Sequence, residues 1–93
     1  MLNIINTRFQ YERLNRELEK YSTRFTVESA VKIDKDLYIK GYGFNYKNEV
    51  YHIIRDTNGK YSVCKIKNTV KYGTYSDNLS YKQLLTVLKN LLK

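Results

Sequence analysis

The residues able to do chemistry are few: one histidine, His52, one cysteine, Cys64, nine carboxylates, and a surplus of cationic and aromatic side chains. A Cys/His nucleophile pair needs its thiol and imidazole within hydrogen-bond reach. His52 and Cys64 stand in neighbouring strand-like segments joined through Asn58-Gly59. A two-residue turn there pairs Ile53 with Cys64, which predicts that His52 and Cys64 point to opposite faces of a sheet. One His and one Cys do not make a closed zinc site. Asp56-Thr57-Asn58-Gly59 could open a calcium loop, but the ligand position eleven residues after Asp56 is Lys67 where a glutamate is needed. No glycine-rich phosphate loop opens a helix. These absences predict a protein that is not an enzyme and that takes no cofactor or metal.

The charge balance carries more. Seventeen Lys and Arg face nine Asp and Glu, a formal charge of +8 on 93 residues, which favours a polyanionic or acidic partner: DNA or RNA, or an acidic protein. A compositional origin stands beside that reading. Lys, Asn, Ile and Tyr are abundant, Ala occurs once, Pro and Trp are absent, and twelve of the seventeen basic residues are Lys; an AT-rich genome produces this bias without selection for binding. The length predicts a single domain over residues 1–93 with one modest core. A lone cysteine excludes an internal disulfide and makes a cytoplasmic setting the default. No apolar run reaches the roughly 18 residues of a membrane span, and Met1–Ile5 is too short for a signal segment, so no membrane partner is expected.

The elements that would position these residues are legible as periods. Thr7 with Gln10 fits a capping box, predicting a helix from about Arg8 to Tyr21. Tyr11, Leu14, Leu18 and Tyr21 form its apolar stripe, and Glu12/Arg16 and Arg13/Glu17 pair opposite charges one turn apart. Phe9 falls opposite the stripe, either as an exposed contact or because the first turn starts later. Alternation from Phe25 to Ile33, a turn at Asp34-Lys35-Asp36, and runs over Leu37–Tyr46, Glu49–Asp56, Lys60–Lys67 and Val70–Tyr75 predict an antiparallel meander of about five strands. Ser80 with Gln83 is a second capping box, with Leu79 placed to pack on Leu84. Leu84, Leu85, Val87, Leu88, Leu91 and Leu92 of the following helix span an arc of about 160°, wide enough for the sheet plus the first helix, or for a homodimer. The fold class is therefore α+β: an N-terminal helix, the meander, and a C-terminal helix, with the helices packed on one sheet face.

Under the two-residue turn at Asn58-Gly59, Tyr51, Ile53, Cys64 and Ile66 join Tyr42, Phe44 and Tyr46 on the helix-covered face. Val50, His52, Ile54, Tyr61, Val63 and Lys65 then share the other, left half apolar and partly basic, as a binding face would be.

Two resemblances bear on that sheet. Lys40-Gly41-Tyr42-Gly43-Phe44 resembles the first five positions of the aromatic signature of RNA-recognition motifs and cold-shock domains, whose alternate aromatics stack on bases. It departs at Asn45, where that signature has an aliphatic residue, and at Lys47, where it has an aromatic. From Tyr51 to about Leu88, Gly59-Lys60-Tyr61-Ser62-Val63, then Tyr72-Gly73-Thr74-Tyr75, then a helix, is similar to the three-strand-plus-helix DNA-binding domain of plant ethylene-response factors and phage integrase arm domains. That similarity implies a sheet laid in the major groove, with Arg55, Lys60, Tyr61, Lys65 and Tyr72 as the contacting set. The first strand here, Tyr51-His52-Ile53-Ile54, lacks the family's arginines, and Asp77 to Leu79 are additional.

The expectation that follows is a small binding module engaging nucleic acid through His52, Arg55, Lys60, Tyr61, Lys65, Lys67, Lys71 and Tyr72. The alternative is a phage or mobile-element protein that binds and inhibits or adapts an acidic host protein through the same surface.

Overall fold

The structure, a computed structural model, describes residues 3–67 and 70–93, and among these the side chains of all but Ile33, Ile66, Lys67 and residues 70–75. The elements run β1 (Asn3–Ile5), α1 (Tyr11–Glu19), β2 (Val27–Asp34), β3 (Leu37–Tyr46), β4 (Glu49–Arg55), β5 (Tyr61–Lys67), β6 (Val70–Leu79) and α2 (Tyr81–Leu91). The chain forms a small α+β domain in which both helices pack against one face of the sheet.

Strands β2 to β6 form the expected antiparallel meander, each pairing with the next. The sheet is mixed, however, because β1 adds a sixth strand parallel to β3, with Ile4 opposite Tyr38. Its position follows from the register. β2 borders β3 from Leu37 to Gly43, whereas β4 borders it only from Gly41 to Tyr46. The first residues of β3 therefore keep an unpaired edge on the β4 side, and β1 supplies hydrogen bonds there. Three residues are too few to show a period, so this strand has no sequence signature of its own.

Two turns set which side chains share a face. Lys47 and Asn48 have φ of 49° and 65°, the two left-handed positions of a type I′ turn, and Tyr46 pairs with Glu49 as the two-residue reading requires. The β4–β5 hairpin departs from expectation. Its loop has three residues: Gly59 N donates to Asp56 O at 3.1 Å, Asp56 N donates to Lys60 O at 2.8 Å, and Gly59 takes the left-handed φ of 79°. The Asp56 carboxylate stabilises this longer loop, accepting from Asn58 N and Lys60 N, both at 2.9 Å. One added loop residue shifts the register by one and flips β5. Ile53 pairs with Val63 and Arg55 with Tyr61, while His52 pairs with Cys64. Tyr61, Val63 and Lys65 are thereby on the helix side, and Cys64 is not, correcting the predicted faces.

The helix side holds the main core of Phe44, Ile53, Tyr61 and Val63 from the sheet, Leu14 and Leu18 from α1, Phe25, Leu79, and Leu84, Leu88 and Leu92 from α2 and its end. Each buried leucine is worth about 1.5–3 kcal/mol relative to exposure. Leu85, Val87 and Leu91 pack against the same core, so one chain occupies the full width of the α2 arc. The opposite face is buried at its centre. Val31, Ile39, Ile54 and Cys64 form a second cluster there with Ile5 packed on it, although no helix covers that side. The helices occupy the first face, so the contact between β2 and β6, the two ends of the meander, closes the curled sheet over the second. Register irregularities along β5–β6 and at Lys32/Asp34 add the local twist that such curling needs.

The two helices start differently. At α2 the capping box forms in full: Gln83 N donates to Ser80 Oγ at 3.2 Å and Ser80 N donates to Gln83 Oε1 at 2.9 Å. At α1 it does not. The Thr7 hydroxyl donates instead to Arg55 O at 2.6 Å, and the helix begins at Tyr11 after an N-cap, Gln10, whose side chain makes no cap bond. The later start settles the place of Phe9, which lies before the helix with its ring 4.6 Å from Tyr42 and 5.9 Å from Phe25.

Candidate functional site

The predicted binding residues do not share one surface. His52 is 4 % exposed and faces the closed side of the sheet. Its Nδ1 and the Ser29 Oγ on β2 share a hydrogen bond of 2.6 Å, and burial pushes its pKa below the ordinary value. Cys64 is its cross-strand neighbour on the same side, contrary to the opposite facing expected. Both side chains are sealed from solvent, so an external substrate has no access to the pair. Lys65 stands on the helix side, its ammonium 5.8 Å from the Tyr51 ring centre. Lys60 is exposed just after the hairpin loop. The side chains of Lys67, Lys71 and Tyr72 lie outside the described residues. The aromatics resembling a base-stacking signature are also committed: Phe44 is fully buried, and Tyr42 packs among Phe9, Tyr11 and Phe25.

Arg55 and Tyr61, in contrast, come together at one end of the domain. Arg55 donates through Nη1 to Arg8 O, and its guanidinium carbon lies 5.8 Å from the Tyr61 ring centre. Tyr61 is 2 % exposed, and burial pushes its phenol up, opposed by Arg55, by Arg13 and by a backbone hydrogen bond at Gln10. Its ring meets Tyr81 edge-on at 5.9 Å, and the Arg13 guanidinium lies 4.7 Å from the Tyr81 ring centre. The start of α1, the β4–β5 hairpin and the start of α2 thus converge on a bed of aromatic rings under arginines.

Sequence reasoning passed over the α1 part of this cluster. It matched Arg13 with Glu17 and Arg16 with Glu12 as i,i+4 ion pairs. Glu17 instead pairs with Lys20 at 3.0 Å, and Glu28 pairs with Lys40 at 3.3 Å. Arg8, Arg13 and Arg16 are exposed and hold no carboxylate there. Beside them lies a cleft of about 390 Å³ lined by Phe9, Gln10, Tyr11, Glu12, Arg13 and Arg16. Charge alone could have pointed to this end, because four of the five arginines of the chain, Arg8, Arg13, Arg16 and Arg55, belong to it. Among the described residues no His, Cys, Asp or Glu grouping could hold a metal ion, and no helix is long and apolar enough to cross a membrane.

Compared with protein-family models, with curated proteins and with solved structures, the chain finds no match.

Proposed function

We propose that this chain is a small non-enzymatic module that binds nucleic acid through its arginine-rich end, with Arg8, Arg13 and Arg16 on the phosphates and Lys60 beside them. The observation that supports the reading is the exposed set of arginines without carboxylate partners, set around the aromatic bed of Phe9, Tyr61 and Tyr81. Guanidinium groups suit phosphate because their planar donors can be bidentate, and a cation already resting on a ring loses little freedom on binding. Arg55 serves as a positioning residue, joining the segment before α1 to the hairpin.

The test is binding of short single-stranded and duplex DNA and RNA over a salt titration. Two triple variants of equal net charge are compared with the parent: Arg8→Glu/Arg13→Glu/Arg16→Glu, and Lys47→Glu/Lys89→Glu/Lys93→Glu at the other end of the sheet, where Tyr46 Oη donates to Lys93 O. Each phosphate contact contributes about 0.7 to the log–log salt slope on single strands and about 0.9 on duplex. The arginine variant should therefore lose roughly 2 to 3 units of slope, and the lysine variant much less. Equal losses would mean that the charge is compositional. A stoichiometric complex with an acidic protein that survives nuclease treatment, without nucleic-acid binding, would move the same surface to a protein partner.

A further inference from the structure

We propose that the cleft at the start of α1 receives an unpaired nucleobase, stacked on Tyr11, so that the module prefers single strands to duplex. This rests on the nucleic-acid reading above and deepens it. Tyr11 differs from the rings around it in being 37 % exposed, while Phe25 is at 5 % and Phe44 at 0 %. It is also held firmly. One ring contact is a stack on Phe25, with centres 5.2 Å apart and planes at 29°, and a second is an edge contact with Tyr42 at 4.8 Å. The ring therefore stands on an aromatic floor and keeps surface open to the cleft, as a stacking platform must.

The lining decides what part of the ligand enters. Glu12 lines the cleft, and a carboxylate there repels a phosphate but accepts hydrogen bonds from a base edge. Arg13 and Arg16 border the same space and are placed to take the flanking phosphates. Inside a duplex both faces of a base are already stacked, so only an unpaired base can use the platform.

The test uses one oligonucleotide sequence in four forms: single-stranded DNA, single-stranded RNA, duplex, and a single strand with a run of abasic positions. The proteins are the parent, Tyr11→Phe and Tyr11→Leu; leucine keeps an apolar contact with Phe25 but has no π face. Stacking a base on an aromatic side chain corresponds to about 5- to 150-fold in affinity. Tyr11→Phe should bind single strands like the parent and Tyr11→Leu more weakly by a factor in that range, with duplex and abasic binding unchanged. A 2-aminopurine in the strand should be quenched by the parent and not by Tyr11→Leu. Should Tyr11→Leu bind single strands within twofold of the parent while salt-sensitive binding persists, the stacking inference falls and the phosphate-binding module stands. If no form binds, both fall.

Discussion

Placing an alanine at Gly43 probes the closed side of the sheet through a single methyl group. Gly43 lies opposite His52 in the β3–β4 pairing. A Cβ there would come within 2.7 Å of Val27 Cγ2 and 2.8 Å of His52 Nε2, both closer than real Cβ contacts, and within a tight 3.0 Å of His52 Cε1. The two neighbours differ in what they can yield. Val27 is 47 % exposed near the start of β2 and can rotate outward, whereas His52 is 4 % exposed and tied to Ser29. Overpacking of this kind costs about 1–3 kcal/mol, and replacing glycine by alanine in ordinary extended backbone returns about 0.4–1 kcal/mol from the unfolded chain. The net expectation is a loss of about 0.5–2 kcal/mol, or a fall of several degrees in Tm for a domain this small. In a His52→Ala background the imidazole is gone, and the same substitution should become neutral or mildly stabilising. Urea unfolding of the four proteins of this cycle gives the coupling directly. A coupling below the roughly 0.5 kcal/mol scatter of additive sites would refute the argument that His52 fills the space above Gly43.

The same histidine makes stability depend on pH. Burial holds its pKa below 6.5 in the fold, so in the window under pH 6.5 the unfolded chain binds a proton that the folded chain does not. Stability should therefore decline as pH falls through that window, by at most about 1.4 kcal/mol per pH unit, and the contribution should be flat above it. Urea midpoints from pH 7.5 downward check this, and a His52→Gln variant that keeps the full slope would assign it to other groups. At α2, Ser80→Ala removes the acceptor for Gln83 N and should cost about 0.5–2 kcal/mol, with Ser80→Asp close to the parent; thermal melts that do not separate the two variants would show that the cap contributes nothing.

Where local chemistry alone decides the backbone, the sequence is a sufficient guide. Ser80 and Gln83 form their box, each side chain accepting from the other's backbone N–H, and Lys47-Asn48 makes its type I′ turn with both residues in the left-handed region. The misreadings occur where a distant group claims a local one. Thr7 has the right spacing to cap α1, but its hydroxyl is taken by Arg55 O, forty-eight residues away, and the helix starts three residues later than the pattern implies. Asn58-Gly59 is a strong two-residue turn signal, but the Asp56 carboxylate binds two backbone N–H groups and draws the loop out to three residues. β1 depends wholly on the edge that β3 leaves open.

The consequence for the site follows from that one loop residue. With the two-residue turn, the sheet would bury one face under the helices and offer Tyr61, Val63 and Lys65 on the other. With the three-residue loop, Tyr61 and Val63 enter the helix-side core, and the smaller side chains opposite, Gly41, Gly43, Ser29 and Cys64, let the sheet curl closed. Among the described residues, a sheet whose two faces both carry a buried cluster offers a partner no broad open face. On the proposed reading, contact with a partner falls to the ends of the sheet and the outward sides of the helices, where Arg8, Arg13 and Arg16, exposed and without carboxylates, gather around the start of α1. Arg55 and Tyr61 are common to both readings for this reason: they sit where the hairpin meets the segment before α1, so the register flip turns Tyr61 inward without removing it from the arginine-rich end.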